Sequence, residues 1–168
     1  MKINLIIALF VANVFAVNVT NAHVVFTDQL AFAGSYYKGT LRVGHGCGDE
    51  STTSITVKIP SGFEGAKPQP KHGWKLTTKK EPLAKPYTSH GKTITDDVVE
   101  IKWEATSKDF HLPNEQFDEF SFFTHLPNKA GPYWISVKQE CTKSIQEWSE
   151  IPASGTSTKG LKTPAALL

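Results

Sequence analysis

A histidine released at the start of a chain is a different metal ligand from one held inside it, and His23 stands where such a release is expected. It follows Thr20-Asn21-Ala22, and cleavage after Ala22 would leave a free α-amine on the residue that carries the imidazole. The amine nitrogen and Nδ1 then close a six-membered ring on a metal. Two adjacent nitrogens with that bite suit a tetragonal Cu(II) ion. No sulfur competes for the metal. The one methionine is Met1, and the two cysteines, Cys47 and Cys141, are expected to be oxidised together. A site built this way favours Cu(II) over Cu(I), which prefers thiolate and thioether.

The residues before His23 read as a secretory signal. Met1-Lys2 is a short positive start, residues 5–17 are mostly apolar but too few to span a bilayer, and Thr20-Asn21-Ala22 is a small-residue cleavage site. A second cut, after Ala16, would put Val17 first and abolish the chelate. With the cut after Ala22, the mature chain is expected in the periplasm or secreted, with no transmembrane segment. The 168-residue chain has a net charge of +2, and the leader takes one lysine with it. Lysines are scattered, with Lys79-Lys80 adjacent, and make no basic stripe of the kind nucleic acid requires.

Export also decides the cysteines. The lone pair Cys47 and Cys141 predicts one disulfide closing nearly the whole domain. A loop of that length corresponds to about 4–5 kcal/mol on the chain-entropy model. A thiolate metal pair lacks any C-x-x-C element to support it.

The elements that must position these residues are strands. Residues 53–59 alternate polar and apolar with strict period two, which buries Ile55, Val57 and Ile59, and Pro60 ends the run. Residues 35–43 form another strand, with Gly39 as a possible bulge. Further strands are predicted over 74–79, 99–104, 117–126, 133–140 and 146–151. Residues 60–73 hold three prolines and three glycines and read as turns, residues 82–91 as a loop. Nothing sustains the 3.6-residue period of a helix. Seven or eight short strands predict an all-β, single-domain antiparallel sandwich over residues 23–152. Residues 153–168 show no pattern and are expected to be a flexible tail.

Several stretches together resemble the YcnI-like copper-binding domains of exported bacterial proteins. They are His23-Val24-Val25, Ala33-Gly34-Ser35-Tyr36, Arg42-Val43-Gly44-His45-Gly46-Cys47 and Pro68-Gln69-Pro70-Lys71-His72-Gly73-Trp74. Phe117-Asp118-Glu119-Phe120, Val137-Lys138-Gln139-Glu140-Cys141 and Glu147-Trp148-Ser149-Glu150-Ile151-Pro152 complete them. The resemblance implies an immunoglobulin- or cupredoxin-like sandwich. It also implies a single-histidine brace for Cu(II), made by the amine and ring of the amino-terminal His, a Glu carboxylate and a nearby Trp. Carried onto this chain, the metal ligands are His23 and Glu119 and the aromatic is Trp148, with Trp134 and Trp103 as alternatives. Lys143-Ser144-Ile145 departs from the family where relatives often carry Gly. Residues 153–168 match neither the membrane helix nor the metal-rich extension of many relatives.

The other histidines, His45, His72, His90, His111 and His125, read as loop or surface residues. His45 and His125 are the outside candidates for supporting a ligand from behind. Although His111, Glu115 and Glu119 are four apart, Pro113 argues against one helix presenting them. Three function classes follow. The first is a copper carrier, buffer or metallochaperone in the export compartment, in contact with periplasmic or membrane copper-handling proteins. The second is a histidine-brace copper monooxygenase, which ordinarily needs a second His that this chain does not offer in a matching context. The third is a metal-free interaction module. The sequence favours the first, a non-enzymatic one: it has no Gly-x-Ser-x-Gly elbow and no His-Glu-x-x-His.

Overall fold

The two-residue period of the strands puts alternate side chains on opposite faces of each sheet, although the central Ser54 and Thr56 are buried as well as Ile55 and Val57. A computed structural model describes residues 23–168; the expected signal over residues 1–22 lies outside the described residues. The strands in chain order are β1 (Val25–Phe26), β2 (Tyr36–Val43), β3 (Thr52–Lys58), β4 (Glu64–Pro68), β5 (Trp74–Ser89), β6 (Lys92–Ala105), β7 (Asp118–His125), β8 (Trp134–Ile135), β9 (Val137–Cys141), β10 (Ile145–Trp148) and β11 (Ala166–Leu167). One sheet runs β1-β2-β7-β4, a second β10-β9-β3-β6-β5, and β11 with β8 forms a small third. Every pairing of these strands is antiparallel. Among the described residues, no helix is long and apolar enough to cross a membrane.

The core lies between the two larger sheets. Leu41 and Val43 of β2, Phe120 and Phe122 of β7, Ile55 and Val57 of β3, and Ile101 and Trp103 of β6 are all buried. Trp103 and Trp74 set their rings edge-on to Phe120, at 5.7 and 5.0 Å, a geometry that aligns ring edges with ring faces. The Trp103 indole N–H donates to the Gln69 carbonyl at 3.0 Å, so this core aromatic keeps its polar atom satisfied.

Four local expectations change. Gly39 makes no bulge: it pairs in register with Phe122. A Cβ there would meet the Phe122 and Phe26 rings at 2.9 and 3.0 Å, so the position is glycine because two rings lie against the backbone. Residues 60–73 contain β4, paired with β7 across a register shift at Gly65-Ala66, with Pro68 back in register opposite Phe122. Residues 82–91 are no loop but the far half of β5, which turns into β6 through His90 and Gly91, both at positive φ. The outer edge of β5 is protected by its own lysines and by Pro82 and Pro86.

The end of the stretch 153–168, expected to be a flexible tail, is docked from residue 162 on. The carboxylate of Glu150 accepts from the backbone N–H groups of Lys162 and Thr163 at 2.6 and 2.8 Å. Tyr133 and Leu168 exchange both backbone hydrogen bonds, and Ala165 and Ala166 are buried. The domain therefore continues beyond residue 152. Two-residue pairing between β8 and β11 leaves no periodicity for a sequence reading to detect.

Candidate metal centre

β1 and β10 are edge strands of different sheets, and they meet at one side of the sandwich. His23 precedes β1, and Val24 anchors that end of the chain in the core at 1% exposure. Trp148 closes β10, opposite Val137 of β9. The His23 and Trp148 rings meet edge-on, with centroids 5.6 Å apart and planes at 72°. His23 Nε2 is the ring nitrogen turned inward, buried and without a hydrogen-bond partner among the described residues. Nδ1, bonded to Cγ, is the nitrogen that can share a chelate ring with the residue's own N. Burial, and beyond it the field of His45, pushes the His23 imidazole below its ordinary value. Both favour the neutral ring, which is the form that ligates.

Behind Trp148 sits a polar core that the sequence did not reveal. The indole N–H of Trp148 donates to Gln139 Oε1 at 2.9 Å. The Gln139 amide nitrogen donates to the His45 carbonyl at 2.8 Å and to Thr52 Oγ1 at 2.7 Å. Gln139 is 1% exposed. The His45 ring turns back to the Gly46 carbonyl through Nδ1. Two residues on, Cys47 is bonded to Cys141, with Cα atoms 6.0 Å apart across 94 residues of sequence. Strict alternation of inward positions along β9 (Val137, Gln139, Cys141) is the signal that places Gln139 inside.

Glu119 lies elsewhere on the same sheet. It is exposed on β7 opposite Arg42, which in turn pairs with Val25. Two strand spacings separate Glu119 from Val25, about 10 Å at the usual 4.8 Å per strand. The carboxylate has no ion pair among the described residues. No group of three or more His, Cys, Asp or Glu gathers in metal-binding range among them. Of the alternatives to Trp148, Trp103 is committed to the core, and Trp134 pairs with Leu167. Of the supporting histidines, His45 stands in the field of His23. His125 sits at the far end of β2 and β7, opposite Tyr36 and 3.6 Å from Glu64. A surface groove of about 890 Å³, lined in part by Leu30, Arg42, Tyr133 and Leu168, includes none of His23, Glu119 or Trp148.

The family model described as "Domain of unknown function (DUF1775)" matches residues 23–168. The chain belongs to that family. This is the YcnI-like family that its sequence resembles. It is similar to a Bacillus subtilis protein described as "Copper-binding protein CutI", at 29% identity over 130 residues. That match covers 77% of this chain and 56% of the relative, so the chain spans little more than half the relative's length. A crystal structure of a Nocardia farcinica protein with an immunoglobulin-like fold superimposes with a TM-score of 0.66, at 23% identity. It covers 87% of this chain and 96% of that one. The fold is thus all-β, as the strand pattern predicts, and immunoglobulin-like, as the family resemblance implies. The family match begins at His23 and runs through the docked carboxy-terminal segment.

Proposed function

We propose that this protein is an exported Cu(II)-binding protein whose metal is held by His23 as the first residue of the mature chain. The observation that carries the reading is the His23–Trp148 contact at 5.6 Å, in a chain related to a copper-binding protein. The buried Nε2 and the lowered basicity of the ring fit a neutral imidazole that offers Nδ1 outward. While Ala22 precedes it, the nitrogen of residue 23 is an amide, so processing at that bond is what creates the second nitrogen donor. Glu119, exposed on β7 two strands away from β1 in the same sheet, is the proposed carboxylate ligand. His23 would supply two nitrogens and Glu119 one oxygen, a donor set that suits Cu(II). Trp148 would shield one side of it from water.

The role is copper handling in the periplasm or outside the cell, as carrier, buffer or metallochaperone that meets other copper proteins, without catalysis. Cu(II) titration of the chain beginning at His23, against the same chain with one Gly placed before it, tests the proposal. Loss of the chelate amine should weaken binding by about 100-fold or more, and Glu119→Gln should weaken it less while the fold stays intact. Equal affinity with and without the added Gly would overturn the assignment.

A further inference from the structure

We infer that Gln139 is the positioning residue of this centre: its buried amide clamps the Trp148 indole and the His45 segment into one rigid wall behind His23. The inference rests on the copper reading for its purpose, but the clamp itself is a property of the metal-free protein.

The geometry leaves the amide one orientation. An indole N–H can only donate, so the atom facing Trp148 Nε1 at 2.9 Å must be the oxygen. The two amide hydrogens are then left for the His45 carbonyl at 2.8 Å and Thr52 Oγ1 at 2.7 Å, and both are used. Flipping the amide would set N–H against N–H at Trp148 and oxygen against oxygen at the His45 carbonyl; only the Thr52 hydroxyl could adapt, by turning to donate. At 1% exposure no water is at hand to repair either loss.

Three separate pieces of chain converge on this one side chain: β10 through Trp148, the 45–47 segment through the His45 carbonyl, and β3 through Thr52. The disulfide pins the same corner from below, since Cys141 follows Gln139 by two positions on β9 and Cys47 follows His45 by two. With its N–H committed inward, the indole cannot swing its nitrogen toward a metal at His23. It presents only carbon surface there. Trp148 is thereby fixed as an aromatic wall rather than a ligand, and its distance to His23 is set by Gln139.

The test uses the chain beginning at His23, with Gln139→Met, which keeps the length and removes all three hydrogen bonds, and Gln139→Glu, which keeps the acceptor for the indole. Hydrogen exchange of the indole N–H groups is followed by NMR without copper. The Trp103 indole, bonded to the Gln69 carbonyl and placed on the other side of Ile55 from Gln139, reports on loosening of the surrounding core. In Gln139→Met the Trp148 indole should exchange at least tenfold faster while Trp103 is unchanged, and Gln139→Glu should restore much of the protection. Unchanged Trp148 exchange, or equal acceleration at Trp103, would overturn the clamp. Cu(II) quenching of tryptophan fluorescence is then compared. A smaller quench in Gln139→Met supports the positioning role, and an identical quench refutes it. If the wild-type chain binds no Cu(II), the copper reading falls and the exchange arm still decides the clamp.

Discussion

The His23 imidazole stands edge-on to the Trp148 indole, centroids 5.6 Å apart, although 125 positions of sequence separate them. Trp148 ends one edge strand, β10, and His23 leads into another, β1 of the other sheet, so the contact is where those edges meet. An indole this close should report directly on any metal held by His23.

Trp148→Phe is therefore expected to remove most of the fluorescence quenching caused by Cu(II), while lowering affinity only a few-fold. Phenylalanine retains an aromatic wall but leaves the Gln139 acceptor without its donor, at a cost of about 1–3 kcal/mol in stability. Fluorescence titration with a competing chelator, alongside urea unfolding, measures both. Full quenching in the Phe variant would assign the signal to another tryptophan.

Replacing Cys47 and Cys141 together by Ser should cost about 2–5 kcal/mol, because the bond closes most of the domain and constrains the unfolded chain. The local effect should fall on the 45–47 segment and so on the His45 carbonyl that Gln139 holds. Urea midpoints of the oxidised wild type and the double variant provide the comparison, and equal midpoints would contradict the expectation.

Glu140 gives the fold an acid-sensitive limb. Its carboxylate pairs with Lys138 at 2.8 Å and with Lys102 at 3.3 Å. The Lys138 hydrogen bond, ahead of the Lys102 contact, holds the carboxyl down at about 2. The folded state is thus the weaker proton binder, so the pairs stabilise fully above about pH 4.5, and that stability is lost as pH falls toward 2. Glu140→Gln should flatten this limb by at most about 1 kcal/mol, since the group is partly solvated. Thermal unfolding from pH 2 to 7 measures the difference, and parallel curves for the two proteins would refute it.

Glu150→Ala should release the carboxy-terminal segment without unfolding the sandwich. The lost carboxylate leaves the Lys162 and Thr163 N–H groups without their acceptor, at a cost of about 1 kcal/mol. Amide exchange at Ala165 and Leu168 should rise while Ile101 and Val57 stay protected. Protection retained at Ala165 would mean that β11 holds the segment alone.

The sequence by itself determined what depends on neighbours along the chain. Period two in residues 53–59 gave β3 its buried Ile55 and Val57, because alternate side chains of a strand necessarily face opposite ways. The two cysteines could pair only with each other. His23 was singled out because an amine and an imidazole on one residue make a chelate whatever the fold. Tertiary structure decided everything that depends on which strands meet. Gly and Pro residues hid β4, since their local preference is for turns and only pairing with β7 makes a strand of them. The hairpin beyond Pro82 and the docking of Ala166 rest on pairing partners, and short strands carry too few residues to show a period. Trp148, Trp103 and Trp134 are alike as sequence. The family resemblance names Trp148 among them and long-range packing sets it against His23, whereas Gln139 was not legible, since a buried amide is recognised only by the three partners that the fold brings to it.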